Sequence, residues 1–215
     1  MTELIHDRGY SAYTIPVRGK QLEPGESEYS RYLWVLERVP RGAKVLDVGC
    51  NGGQMLRQLW SHRGIIGVGV DIDPAQIEFA RSRVQWPSRE PFPLRWHAGP
   101  AELVCHDLAE ELPFDVVIAG EVIEHVDRVG DFLAACYGAL APEGRLLLTC
   151  PTPEGPGGHL WTRPEHRRVF TREALEEELR AAGFEVIEYA TLDKDDYGPT
   201  FQCVRCWKAA NGRAA

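Results

Sequence analysis

The sequence predicts an α/β domain built on a doubly wound, mostly parallel sheet. Two observations carry this. Apolar runs of strand length, at 45–48, 65–70, 114–119 and 145–150, alternate with stretches of helical periodicity. The first run leads through Asp47 into the small residues Gly49, Asn51, Gly52 and Gly53, and the second ends in Asp71. A strand feeding a glycine turn and then a helix is the entry to an α/β ligand site, because glycine lets the backbone turn tightly and approach a ligand.

Each element has a local cause. Ser27 is positioned to cap a helix over 28–39, with Tyr29, Tyr32, Leu33, Leu36 and Val39 as its apolar stripe. The helix from Gln54 carries Met55, Leu56, Leu59 and Trp60 on one expected buried face. Asp73 caps the next helix with Pro74 in its first turn, and Ile77, Phe79, Ala80 and Val84 line its inner side. The proline-rich stretch 85–93 reads as a loop, 94–98 as the third strand and 114–119 as the fourth. Asp127 is the expected cap of a helix over 128–140, Pro142-Glu143-Gly144 a turn and 145–150 the fifth strand. Thr171 caps a helix over 172–182 that ends at Gly183, and 184–192 with 200–208 form a closing hairpin. Residues 1–26 read as an irregular arm, either a loose terminus or a lid, and 209–215 as a tail.

Composition sets the class. The chain has 215 residues, 44% hydrophobic, which suits one globular domain over 27–208. A net charge of -8, from 32 acids against 24 Lys and Arg, argues against a general phosphate-binding surface. Nucleic acid could then be met only through a local basic patch. No stretch approaches the apolar length of a membrane span, and Met1 to Arg8 lacks a signal peptide's basic start and apolar core. A cytoplasmic protein without membrane contact is expected, and six scattered cysteines suit reduced thiols. Cys203-x-x-Cys206 lies in an alternating strand whose i and i+3 positions face opposite ways, which argues against a metal pair.

Asp47-x-Gly49-x-x-x-Gly53 after a strand, with Asp71 closing the next, resembles the class I, Rossmann-like S-adenosylmethionine-dependent methyltransferases. The dinucleotide spacing Gly-x-Gly-x-x-Gly is absent, since positions 51 and 54 hold Asn and Gln. The methyltransferase pattern also departs at Asn51, a residue that tolerates left-handed backbone angles. The resemblance covers about residues 27–208 and implies a seven-stranded sheet with a reversed last strand. It implies a cofactor set of Asp47, Gly49, Asn51, Gly53, Asp71, Ile72, Ala101, Glu102 and Glu121, with Asp71 taking the ribose hydroxyls. Where the family offers an Asp to adenine this chain has Pro100, which leaves that contact to backbone or Glu102.

Glu121-x-x-Glu124-His125, at the carboxyl end of the fourth strand, is similar to a motif shared by two groups of O-methyltransferases. One acts in ubiquinone biosynthesis, the other on the 3′-terminal 2′-hydroxyl of small RNAs. The RNA group's ligand set would map onto Glu121, Glu124, His125 and His166, holding magnesium or manganese, and Gly198-Pro199-Thr200-x-Gln202 resembles its closing segment. The same residues also fit a metal-free site in which His125 is the base, or a purely structural motif. The segment 151–170 breaks the helix–strand rhythm beside the crevice, and its His159, Trp161, Arg163 and Arg167 are candidate substrate residues. The expectation is methyl transfer to a hydroxyl of a small molecule such as a sugar, catechol or quinol precursor, with His125 and Glu121 as catalytic candidates. A metal-dependent RNA 2′-O-methyltransferase, a small-molecule N-methyltransferase and a noncatalytic S-adenosylmethionine-binding regulator are the alternatives.

Overall fold

Helix α1 (Ser27–Arg38) precedes β1 (Lys44–Val48), α2 (Gln54–Arg63), β2 (Ile66–Asp71), α3 (Pro74–Ser82), β3 (Leu94–Ala98) and α4 (Ala101–Glu111). Then follow β4 (Phe114–Gly120), α5 (Val129–Ala139), β5 (Leu140–Pro151), α6 (Arg172–Ala181), β6 (Phe184–Asp193) and β7 (Pro199–Lys208). This computed structural model describes residues 27–84, 93–111, 113–153, 166–193 and 199–208. The arm 1–26, the tail 209–215 and, within the loop, His159, Trp161 and Arg163 lie outside the described residues.

The seven strands form one sheet in the order β3-β2-β1-β4-β5-β7-β6. β1 pairs in parallel with both β2 and β4, β4 in parallel with β5, and β7 runs antiparallel between β5 and β6. Strand alternation divides the core. Val45 joins Trp34, Leu56, Leu59 and Ile77 on one face, while Leu46 and Val48 join Phe132, Leu133 and Leu175 on the other. Both faces are covered, so the parallel strands are apolar on both sides and β1 is about as dry as a strand can be. Cys203 and Cys206 fall in opposite clusters, which rules out a shared ligand, and all six cysteines are free and buried.

Several local expectations are corrected. Helix α4 follows β3 where no helix is expected from the sequence. Trp60 is 41% exposed and Gln58 is buried in its place, so the buried stripe of α2 is rotated toward Leu56 and Leu59. Asp127 does not cap α5; the cap position is Arg128, while Asp127 pairs with Arg167 at 2.8 Å. Strand β5 begins at Leu140 and absorbs the expected turn, with Glu143 at φ 62. The caps at Asp73 and Thr171 are formed, accepting from the backbone N–H groups of Ala75 (2.8 Å) and Ala174 (3.3 Å).

The strand order reverses between β1 and β4, and an open parallel sheet holds its ligand outside the carboxyl ends at that point. Gly49, the first residue beyond β1, has φ 74, and a Cβ there would lie 2.3 Å from Val122 Cγ2. The β1 turn and the segment after β4 are therefore packed together through the missing side chain. Gly49→Ala should lower stability by about 2 kcal/mol or more, combining a left-handed penalty with overpacking. Adding Val122→Ala should restore only the overpacking part; thermal unfolding of the two variants checks this, and an unaffected Gly49→Ala midpoint contradicts it.

Candidate active site

The glycine turn is held by bonds that run across the sheet edge. Gly49 and Cys50 N–H both donate to the Val70 carbonyl (2.8 and 3.0 Å), and Gly53 N–H closes the turn on the Cys50 carbonyl at 2.8 Å. Asn51 adopts φ 47, and its side-chain oxygen accepts from Gly52 N–H at 2.6 Å. Asn51 thus performs the left-handed step that glycine takes in the methyltransferase pattern. Asp71 organises the same turn: its Oδ2 accepts from Asn51 N–H at 2.8 Å and its Oδ1 from Asp73 N–H at 2.9 Å. Each oxygen retains a second acceptor site, so the carboxylate can fix the loop and still receive a diol. Ile72, next to it, is 74% exposed, an apolar surface beside a polar acceptor. Ala101 and Glu102 sit in the first turn of α4, with Glu102 half-buried.

Four carboxylates border this crevice. Asp47 is 5% exposed, and among the described residues its Oδ2 has no hydrogen-bond partner. Burial, reinforced by the negative charge of Asp71 and opposed by Arg31, pushes its carboxyl up to about 7. Glu121 follows β4 with φ 58; its N–H donates to the Thr149 carbonyl at 2.9 Å and its Oε1 accepts from the Thr149 hydroxyl at 2.9 Å. Arg31, reaching over from α1, places NH1 3.5 Å from that same Oε1. Glu124 is 1% exposed with both oxygens unbonded among the described residues, and burial, together with the charge of Glu121, raises it to about 9. Arg31 and Thr149 were not foreseen from the sequence. Neither carried a signal in the sequence: Arg31 lies outside the apolar stripe expected for its helix, and Thr149 is a single polar residue within a buried strand.

Of the four proposed metal ligands, three converge. Ligand atoms of Glu124, His125 and His166 all lie within 4.8 Å of one another. His125 Nε2 is 3.9 Å from Glu124 Oε1, and the two imidazoles meet edge to face with centroids 4.9 Å apart. Glu121 is turned to Thr149 and Arg31 instead. Arg167 secures the cluster from its other side, with its N–H on the Glu124 carbonyl (2.9 Å) and its Nε on the His125 carbonyl (3.1 Å).

The Asp47 carboxyl sets a stability prediction. Its folded value near 7 lies above the unfolded 3.8, so the native state is favoured while the group is protonated. That advantage is lost as pH climbs from the unfolded to the folded value, at a cost of roughly 4 kcal/mol once both states are ionised. Asp47→Asn should therefore stabilise the ligand-free protein at about pH 8 and give little gain near about pH 4. Thermal midpoints across that range test it; a gain independent of pH contradicts it.

A family profile described as "Methyltransferase domain" matches residues 26–189. A ubiquinone biosynthesis O-methyltransferase of Pseudomonas entomophila is 35% identical over 122 residues, covering 55% of this chain. The chain spans about half the length of that curated relative, 49% of it. Among solved structures, a TehB-like SAM-dependent methyltransferase from Corynebacterium glutamicum superposes with a TM-score of 0.61 at 23% identity, covering 81% of this chain and 85% of that one. The cyclase SpnF superposes with a TM-score of 0.68 at 20% identity over 85% of this chain and 82% of its own. This chain belongs to the methyltransferase-domain family, with the sheet of the class I S-adenosylmethionine-dependent methyltransferases.

Proposed function

We propose that the protein is an S-adenosylmethionine-dependent O-methyltransferase acting on a hydroxyl of a small molecule, a sugar, catechol or quinol-type precursor. The observation that carries this is the meeting, at one sheet edge, of the Asp71-tethered glycine turn with the Glu121–Glu124–His125 segment. The residues fit the cofactor's charges. Asp71 can accept from ribose hydroxyls, and Arg31 offers a cation to the carboxylate of the cofactor's amino-acid end. Asp47 and Glu121 offer negative charge to its ammonium and sulfonium. When bound, S-adenosylmethionine supplies a methyl group activated by a positive sulfur. The chain's own work is to hold the acceptor hydroxyl in line and to take its proton, a task for which His125 beside Glu124 is the candidate base.

A second reading has its own observation, the three-ligand cluster of Glu124, His125 and His166. One buried carboxylate with unbonded oxygens and two imidazoles form a mixed donor set with room for further ligands, better suited to manganese than to magnesium. Such an ion would supply Lewis acidity to a bound hydroxyl. That reading would extend to vicinal diols, including an RNA 3′ end, although the chain's charge of -8 favours a small acceptor. Oxygen is favoured over nitrogen because the relative named above is an O-methyltransferase.

One measurement tests the cofactor assignment that both readings share, and a second separates them. Asp71→Ala should weaken S-adenosylmethionine binding about tenfold or more, the cost of losing a charge-assisted hydrogen-bond acceptor. Calorimetry showing unchanged affinity in a folded variant contradicts the cofactor assignment. Turnover by metal-stripped enzyme, with and without added manganese, is the second. With His125 as a lone base, stripped enzyme should keep full activity and His166→Ala should be mild; loss of turnover restored by manganese would establish the metal reading.

A further inference from the structure

The glycine turn is closed upon itself. Every N–H from Gly49 through Gly53 donates within the protein: Gly49 and Cys50 to the Val70 carbonyl, Asn51 to Asp71 Oδ2, Gly52 to Asn51 Oδ1 and Gly53 to the Cys50 carbonyl. A turn that cradles phosphate keeps such donors for its ligand, so this one leaves recognition to side-chain acceptors such as Asp71. What fixes the shape of the turn therefore fixes the aim of that carboxylate.

The weak point of the turn is Asn51. Its φ of 47 is costly for a residue with a Cβ, and the step persists only if its neighbours hold it. Asp71 holds it from one side through the Asn51 N–H. The other side is held at Gly52, whose two backbone polar groups are both taken by side chains: its N–H donates to Asn51 Oδ1 at 2.6 Å, and its carbonyl accepts from Arg57 NH1. Arg57 is the fourth residue of α2, and its own N–H donates to the Gly53 carbonyl at 3.2 Å. Gly53 occupies the cap position and has no side chain to fasten the turn, so the guanidinium does the fastening.

We propose that Arg57 is a positioning residue for the nucleoside half of the cofactor. By holding the Gly52 carbonyl it keeps Asn51 left-handed, and so keeps the Asn51 N–H on Asp71. The inference rests on reading Asp71 as the acceptor of the ribose hydroxyls. Without the guanidinium, the peptide between Gly52 and Gly53 can turn over, because Gly52 has no Cβ to resist it. Asn51 then relaxes, its N–H leaves Asp71, and the carboxylate loses the bond that aims it.

The test uses the full chain with Arg57→Met, close in length but without a donor, and Arg57→Lys, which retains one. Two quantities are read: hydrogen exchange of the Asn51, Gly52 and Gly53 amides in the ligand-free protein, and calorimetric affinity for S-adenosylhomocysteine and for adenosine, which lacks the amino-acid end. Arg57→Met should speed exchange at these amides about tenfold or more. It should weaken both ligands by the same factor, about fivefold or more, and Arg57→Lys should recover most of that loss. In an Asp71→Ala background, Arg57→Met should cost less than about twofold further, because the acceptor it positions is gone; a merely structural role would give the same loss in both backgrounds. Unchanged exchange, unchanged affinity, or equal losses with and without Asp71 would overturn the proposal. If Arg57→Met does not fold, Arg57→Gln, too short to reach as far, decides by the same criteria. An Asp71→Ala variant that binds S-adenosylhomocysteine like the wild type contradicts the ribose assignment; exchange and affinity in the Arg57 variants alone then uphold or overturn the clamp.

Discussion

The structure depends on the burial of negative charge at the carboxyl ends of β1 and β4. Asp47 and Glu124 are 5% and 1% exposed, and each has at least one oxygen without a hydrogen-bond partner among the described residues. A carboxylate in that position is costly unless it is paired or protonated. The fold meets this in two ways: burial and neighbouring acids push both groups toward the neutral form, and Arg31 from α1 leans on the cluster with positive charge. Such a site favours a cation placed beside it. The sulfonium and ammonium of S-adenosylmethionine are the cations that its sheet and glycine turn are suited to receive.

The buried thiols have the opposite character. Burial pushes Cys105, Cys203 and Cys206 up to about 12 and Cys50, Cys136 and Cys150 upward too, so all six remain neutral and serve as small core residues. Reactivity at this site therefore belongs to oxygen and nitrogen groups. Since SpnF, a cyclase, shares the fold, the sheet alone does not choose the chemistry. Under the proposed function, the placement of Glu121, Glu124, His125 and His166 does so.

Much of this was legible in the sequence because strands buried on both faces are written as apolar runs, and caps and glycine turns have narrow side-chain requirements. The tolerance of Asn51 for a left-handed angle and the opposite orientation of Cys203 and Cys206 followed from local stereochemistry alone. Helix α4 was not legible. It begins after Gly99-Pro100 without a capping side chain, and Leu103, apolar but 66% exposed, blurs its periodicity against buried Cys105 and Leu108. Asp127 looked like a cap but was drawn away by Arg167, forty residues on in the chain and visible only in the folded structure. Arg31 and Thr149 share that difficulty: each acts through a partner distant in sequence, for which spacing carries no signal.

If a cationic cofactor ionises the buried acidic pocket, its binding must expel protons, and these can be counted. Calorimetric titration of S-adenosylmethionine in two buffers of different ionisation heat, at about pH 6.5, measures protons exchanged on binding. Net proton release is expected from the wild type, markedly reduced in Asp47→Asn. Binding with no dependence on buffer, or the same release in Asp47→Asn, would contradict it.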